Sequence, residues 1–140
     1  MTRLAYALAW LLATPFIALR LVLRSRTQPG YRDRIGERFG RYANVERAAR
    51  IWIHAVSVGE TRAAGPIIDA IARAHAGRRI LLTHMTPTGR ATGAALFGSR
   101  VEQAWLPYDY RFAARAFLAA FTPRCGVLLE TEIWPRLLEE

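Results

Sequence analysis

The stretch that decides the fold is IWIHAVSVGETRAAGPIIDAIARAH, residues 51–75. Its first seven residues form a short run rich in Val, Ile and Trp, which is typical of a buried strand. From residue 61 onward the spacing is helical instead, because Ile67, Ile68, Ile71 and Ala74 fall on one face. This stretch therefore predicts a strand that is followed directly by a helix.

The same alternation continues along the chain. Three further short apolar runs, RILLTHM (79–85), VEQAWLP (101–107) and CGVLLE (125–130), have the size of buried strands. Between them lie two segments with helical spacing, GRATGAALFG (89–98) and YRFAARAFLAAF (110–121). In the second segment, five apolar residues fall on one side of the predicted helix: Phe112, Ala116, Phe117, Ala120 and Phe121. The pattern predicts an α/β fold over residues 50–140, a Rossmann-like parallel sheet with crossover helices.

Composition sets limits on the class of protein. A chain of 140 residues that is 52% hydrophobic and 22% charged has enough apolar surface for a folded core and is not a disordered chain. The net charge of +9 comes from arginine alone, since the sequence contains no lysine, and it favours anionic partners. The single cysteine, Cys125, excludes an internal disulfide and is expected to be a small buried residue.

The N-terminal segment predicts a membrane-anchor helix over residues 1–26. No residue between Leu4 and Leu19 is charged, and the apolar length is at the lower limit for crossing a bilayer. A cleaved signal peptide is disfavoured because Arg20, Arg24 and Arg26 follow almost at once. The surplus of arginine on the C-terminal side predicts an inner-membrane location with the body on the cytoplasmic face. The helix either spans the bilayer or lies in its interface.

A basic junction, residues 27–49, links this helix to the body. It contains YRDRIGERFGRY (31–42), which is charged and interrupted by glycines. Two interpretations are open: a solvated connector, or a basic collar that contacts anionic lipid.

Polar residues follow each predicted strand, at the edge where parallel α/β sheets bind their ligands. The first strand leads into Ser57, Gly59 and Glu60, the second into His84 and TPTG, the third into Tyr108 and Asp109, and the fourth into Glu130 and Glu132. Because four loops meet at one edge, their side chains are expected to lie close together. The candidate site residues are Ser57, Gly59, Glu60, Thr86, Thr88, Gly89, Glu130 and Glu132.

Most of these residues also have a structural interpretation. Ser57 and Glu60 match a capping box, Thr86 to Gly89 matches a helix cap, and Asp109 matches a cap of the helix that follows it. His54 and His84 are expected in the core or at its rim. The pair Glu130 and Glu132 favours function, since two neighbouring carboxylates repel each other unless a ligand offsets them.

The motifs of several cofactor classes are missing. The sequence contains no P-loop, GxGxxG, HExxH or paired CxxC, so neither a metal nor a nucleotide cofactor is predicted. A carboxylate-lined crevice in a basic body suits a general base that acts on an anionic substrate.

Four motifs together resemble a known family. HAVSVGE (54–60), HMTPTGR (84–90), LPYDYR (106–111) and LETEIWP (129–135) follow an apolar N-terminal helix in the order seen in the N-terminal half of bacterial 3-deoxy-D-manno-octulosonic acid (Kdo) transferases. The resemblance implies an inverting, metal-independent GT-B glycosyltransferase without a cofactor. Such an enzyme transfers Kdo from CMP-Kdo to the lipid A precursor (lipid IVA) in lipopolysaccharide synthesis.

The resemblance also implies roles for individual residues. Glu60 is the expected proton acceptor and Glu130 the expected transition-state stabiliser. The other candidates, Ser57, Gly59, Thr86, Thr88, Gly89 and Glu132, are expected to contact the acceptor. The nucleotide-sugar half of the family lies beyond Glu140, so the 140 residues are expected to be inactive alone. The alternative is a membrane-tethered module that binds anionic lipid without catalysis; nucleic acid is not an expected partner, and the sequence does not predict the oligomeric state.

Overall fold

The body is built on a four-stranded parallel sheet. A computed structural model describes residues 3–129 and 134–140, with side chains from residue 5 onward. The strands are β1 (Arg50–His54), β2 (Arg79–His84), β3 (Glu102–Trp105) and β4 (Pro123–Leu128), in the spatial order β3-β2-β1-β4. All neighbouring pairs are parallel. The predicted α/β fold with a parallel sheet is confirmed.

Helices connect the strands and flank the sheet. The crossover helices are α2 (Val58–Ala74), α3 (Pro87–Phe97) and α4 (Arg111–Phe121), and α5 (Pro135–Glu139) ends the chain. A long helix, α1 (Arg3–Thr27), precedes the sheet, and short 3₁₀ helices occupy Pro29–Arg32, Ile35–Phe39 and Gly98–Arg100.

Two hydrophobic cores cover the two faces of the sheet. Trp52 and Leu81 point to one face and pack against Phe117 and Phe121 of α4. Their neighbours along the strands point to the other face and pack against α2 and α3: Ile53, Ala55, Ile80 and Leu82. Successive strand residues alternate between faces, so continuous apolar runs are what a sheet covered on both sides requires.

Two expectations about burial are wrong. Phe112 is 61% exposed, and the buried face of α4 consists of Ala113, Ala114, Phe117 and Phe121. The helix is thus rotated relative to the predicted apolar side, because the small alanines allow it to approach the sheet closely. Cys125 is exposed, since it lies on β4, an edge strand of the described sheet.

Helix α1 lies along the body rather than projecting from it. Its inner face runs from Tyr6 to Ser25: the Tyr6 hydroxyl bonds to Asp109, the Thr14 hydroxyl lies 2.5 Å from that of Tyr110, and Ser25 is buried. Its outer face is apolar and exposed, with Leu8, Leu11, Leu12, Phe16 and Leu19 each at least half exposed. Over Ala5–Thr27 the mean hydropathy reaches 1.8, so by length and composition the helix is apolar enough to be a membrane anchor.

The junction packs tightly across the carboxyl ends of β2 and β3. A Glu37 carboxylate oxygen accepts a 2.9 Å hydrogen bond from the backbone N–H of Trp105. The guanidinium of Arg38, only 1% exposed, lies 4.0 Å from the centre of the Trp105 ring and donates to the carbonyl of Met85. Tyr31 is buried as well. These contacts contradict a solvated connector at this part of the junction.

Candidate active site

The loops after β1 and β2 form one continuous structure. Thr86 Oγ1 donates a 2.7 Å hydrogen bond to the carbonyl of Val56 and accepts one from the backbone N–H of Gly89 at 3.2 Å. A Cβ atom on Gly89 would lie 2.9 Å from the Val56 carbonyl oxygen, so only glycine permits this approach. The first turn of α3 is therefore held directly against the loop that leads into α2 and Glu60.

Glu60 is held by three hydrogen bonds. Its backbone N–H donates to Ser57 Oγ at 3.3 Å, and the Ser57 hydroxyl donates back to Oε1 at 2.8 Å. The backbone N–H of Val56 donates to Oε2 at 2.5 Å. Ser57 is thus the N-cap of α2, as the capping box predicts, but the Glu60 carboxylate reaches back to the N–H of Val56 rather than to that of Ser57. Because a carboxylate offers about four lone-pair sites, the half-buried Glu60 side chain retains sites that can accept a substrate proton.

The remaining candidates on these two loops differ in exposure. Gly89 is buried, whereas Gly59 and Thr88 are exposed on the first turns of α2 and α3. The hydroxyl of Thr88 lies 3.5 Å from that of Thr86. The structure brings Ser57, Glu60, Thr86 and Gly89 together, with Gly59 and Thr88 on the adjoining surface.

The end of β4 lies beside the end of β1. The two strands are parallel, and the backbone N–H of Leu129 donates to the carbonyl of His54 at 3.1 Å. The strand order also reverses between β1 and β4, which is where open α/β sheets form their ligand crevice. Glu130 and Glu132 lie outside the described residues, so their position beside Glu60 stays a prediction.

Asp109 has a different structural role from the one the sequence suggests. The first residue before α4 is Tyr110, whereas Asp109 accepts hydrogen bonds from the backbone N–H groups of Arg136 and Leu137 at 2.9 and 3.0 Å. It therefore caps α5, and it also accepts a 2.6 Å bond from Tyr6 in α1. Sequence reasoning missed these contacts because Arg136, Leu137 and Tyr6 all lie more than 25 positions from Asp109 along the chain.

The two strand histidines are core residues, as expected. His84 is fully buried, its Nδ1 lies 2.9 Å from the carbonyl oxygen of Ala55, and burial lowers its pKa to about 4. His54 is fully buried too, with Nδ1 2.8 Å from the Thr83 hydroxyl. Since His84 is neutral near pH 7, it supports the sheet and supplies no charge to the site.

A cavity of about 320 Å³ separates α1 from the carboxyl edge of the sheet. We call it the anchor-edge cavity. Val56, Met85 and Thr86 form its sheet side, and arginines from α1 and the junction line the remainder: Arg20, Arg24 and Arg38. Sequence reasoning did not single out Arg38, because nothing in RFGR distinguishes a buried arginine from an exposed one.

Comparison with known proteins gives the family. A family described as 3-deoxy-D-manno-octulosonic-acid transferase (kdotransferase) matches residues 33–140. A 3-deoxy-D-manno-octulosonic acid transferase of Bordetella pertussis is 46% identical over 147 aligned residues, covering 99% of this chain and 34% of the relative. The protein of that name in Haemophilus influenzae is 35% identical over 142 residues, covering 100% of this chain and 33% of the relative.

A more distant relative is a probable mitochondrial 3-deoxy-D-manno-octulosonic acid transferase of Arabidopsis thaliana, 31% identical over 126 residues, which covers 89% of this chain and 28% of the relative. The chain belongs to the Kdo transferase family. It spans between 28% and 34% of the length of these three curated relatives.

Proposed function

We propose that this chain forms the acceptor-binding part of an enzyme that transfers Kdo from CMP-Kdo to the lipid A precursor (lipid IVA) in lipopolysaccharide synthesis. The observation that carries the proposal is the Glu60 carboxylate, held by Val56 and Ser57 at the carboxyl edge of the sheet of a Kdo transferase family member. A fixed carboxylate at this edge has the chemistry of a general base.

In the proposed reaction, a hydroxyl oxygen of the acceptor attacks the anomeric carbon of Kdo. The hydroxyl proton passes to Glu60 as the new carbon–oxygen bond forms. The bond from the anomeric carbon to the phosphate oxygen of CMP breaks, and its electron pair leaves with CMP. Glu130 is proposed to stabilise the positive charge that develops on the sugar, by the logic that pairs two carboxylates in sugar hydrolysis.

Ser57, Gly59, Thr86, Thr88, Gly89 and Glu132 are the proposed acceptor contacts. Ser57 and Thr86 also hold the two loops in place, so they act partly by positioning Glu60. The reaction as written needs neither a metal nor a cofactor. Because the chain matches about a third of each relative, we propose that donor binding lies in the other part and that these 140 residues do not transfer Kdo alone.

Helix α1 is proposed to lie in the interface of the inner membrane, on its cytoplasmic face. The inner face of α1 contacts polar groups of the body, among them Asp109. If α1 spanned the bilayer, these groups would lie in hydrocarbon, where a charged group is costly. An in-plane helix avoids this cost, because its exposed apolar face enters the acyl region while its inner face stays on the body. The arginines near its C-terminal end then lie at head-group level.

A chimera tests the function. Residues 1–140 replace the matched third of the Bordetella pertussis relative, and transfer of Kdo from CMP-Kdo to the lipid A precursor is measured. Glu60→Gln preserves an oxygen for the Val56 N–H but is far less basic, so we expect transfer to fall by roughly 10²- to 10⁴-fold. Glu130→Gln is expected to reduce transfer as well.

Asp69→Asn is the matched control, because Asp69 is a carboxylate on the same helix as Glu60 but contacts Arg100 instead. It is expected to retain transfer. If E60Q transfers Kdo at the rate of D69N, Glu60 is not the base. The alternative function, a membrane-tethered module that binds anionic lipid without catalysis, predicts that outcome.

A further inference from the structure

The anchor-edge cavity has an unusual charge balance. Its described lining contains three arginines and no carboxylate. Three guanidinium groups around one cavity repel each other, and a bound anion would remove that repulsion. Arg20 and Arg24 are exposed on α1, whereas Arg38 is buried in the junction.

Two buried donors at the cavity have no acceptor. Within the described residues, neither the Nε–H group of Arg38 nor the Nε1–H group of Trp134 makes a hydrogen bond. Both residues line the cavity. Buried donors without acceptors are rare in folded proteins, and each one indicates a missing partner. Both nitrogens are covered by the protein, so a ligand in the cavity reaches them only when the Arg38 and Trp134 side chains turn toward it.

Two of the three guanidinium groups face the same part of the cavity. Burial raises the pKa of the Tyr108 hydroxyl, and the neighbouring charges of Arg38 and Arg20 oppose that shift. Arg20 and Arg38 thus come from different segments of the chain and face one side chain. Arg24 lies further along the wall, where it donates to the Tyr31 hydroxyl at 3.1 Å.

We propose that the anchor-edge cavity binds a phosphomonoester group carried by the acceptor lipid. Arginine presents a planar set of donors that matches phosphate oxygens, and the lining of this cavity supplies three arginines. The volume of about 320 Å³ accommodates a phosphate with part of its sugar, since small-molecule sites range from about 300 to 1,000 Å³. The proposal rests on the proposed function for the identity of the lipid.

The cavity lies next to Glu60, so a phosphate bound in it would position the acceptor for the reaction. Val56 lines the cavity, and its backbone N–H donates a hydrogen bond to the Glu60 carboxylate. A phosphate bound beneath α1 would therefore fix the acceptor sugar beside the base. An in-plane α1 would also place Arg20 and Arg24 at the level where lipid phosphates lie.

Binding to the 140-residue chain in neutral detergent micelles tests the proposal without any transfer assay. The probes are the lipid A precursor, the same lipid after enzymatic dephosphorylation, and soluble N-acetylglucosamine 1-phosphate. Titration calorimetry gives the affinity, and quenching of tryptophan emission reports occupancy because Trp10 and Trp134 line the cavity. The double variant R20Q/R24Q leaves the buried Arg38 in place, so it avoids disturbing the core.

The matched control is R26Q/R124Q, which removes two other exposed arginines and lowers the net charge of +9 by the same two units. We expect R20Q/R24Q to bind the phosphorylated lipid at least about tenfold more weakly than the wild type, because it loses charge-assisted hydrogen bonds. R26Q/R124Q and the wild type are expected to bind alike.

Three results would overturn the proposal. Equal weakening in both double variants would mean that net charge alone attracts the lipid. Equal binding of the dephosphorylated lipid would mean that the cavity does not recognise phosphate. Soluble sugar phosphate that binds as tightly as the lipid would assign the cavity to free phosphates rather than to the acceptor.

The two proposals fail separately. If E60Q transfers Kdo normally in the chimera, the assigned base is wrong, and the binding experiment is still interpretable. If transfer depends on Glu60 but R20Q/R24Q binds the lipid normally, only the phosphate site is wrong.

Discussion

The hydroxyl of Tyr6 donates a 2.6 Å hydrogen bond to Asp109, whose carboxylate also caps α5. One buried carboxylate thus joins α1 to α5. The contact holds α1 on the body, and with it the wall of the anchor-edge cavity formed by α1.

Tyr6→Phe is expected to loosen α1 without unfolding the sheet. The substitution removes a hydrogen bond to a charged group, which is worth about 1.5–3 kcal/mol. Hydrogen exchange of the α1 amides should therefore accelerate roughly tenfold or more, while exchange in β1 and β2 stays unchanged.

Tyr42→Phe is the control for that measurement, because the Tyr42 hydroxyl donates to the carbonyl of Trp105, away from α1. It should leave exchange in α1 at the wild-type rate. Unchanged exchange in Y6F would show that the Tyr6 hydroxyl does not hold the helix.

Two glycines at the starts of neighbouring helices are expected to respond in opposite ways to alanine. In Gly89→Ala the new Cβ would lie 2.9 Å from the Val56 carbonyl oxygen and 3.0 Å from Thr86 Oγ1. We expect a loss of about 1–3 kcal/mol in the free energy of unfolding, as for other overpacked sites.

Gly59→Ala meets open space instead, because the nearest atom is Ser57 Oγ at 3.9 Å. Alanine is favoured over glycine in a helix by up to about 1 kcal/mol, so G59A should be neutral or slightly stabilising. Urea denaturation of both variants measures the difference. Equal stabilities would mean that Gly89 does not pack tightly against the Val56 carbonyl.

The sheet and its ligand-binding edge could be predicted from the sequence, and the contacts between distant segments could not. Alternating strands and helices are local patterns, and the position of Glu60 after β1 follows from them. Asp109 looks like a local cap, yet its partners lie in α1 and α5. Arg38 lies in a segment that looks solvated, and only the fold places it against Trp105.

The rotation of α4 also depends on contacts between segments that are distant in sequence. Helical spacing alone gives two nearly equal apolar sides, one with Phe112 and one with Ala113 and Ala114. The sheet selects the side with the small residues, because Phe117 and Phe121 then reach Trp52 and Tyr42. Which side of α4 is buried therefore depends on packing between residues far apart in the chain, and local sequence patterns do not report that packing.

The membrane geometry predicts the location of the N-terminus. An in-plane α1 keeps both of its ends on the cytoplasmic face, whereas a spanning helix would place the N-terminus in the periplasm. An epitope tag before Met1 should therefore be protected from protease in spheroplasts and cleaved after lysis. Cleavage in intact spheroplasts would show that α1 spans the membrane.

His84 makes the stability of the fold depend on pH. Burial lowers its pKa from 6.5 to about 4, and hydrogen bonds to Ala55 and Gln103 oppose the shift without cancelling it. A histidine whose pKa is lower in the folded state binds protons first in the unfolded state. Its neutral form therefore stabilises the fold above pH 6.5, and the stabilisation is lost as the pH falls from 6.5 through 4.

The loss is on the order of a few kcal/mol below pH 4, since lowering a pKa from 6.5 to about 4 favours the neutral form by that much. Carboxylates also titrate in this range, so the measurement compares the slope of unfolding free energy against pH in the wild type and in His84→Asn. The asparagine variant should be less stable at pH 7 but have a shallower slope between pH 4 and 6.5. His75→Asn, at an exposed position after α2, should retain the wild-type slope. If H84N and the wild type have parallel slopes, His84 does not cause the loss.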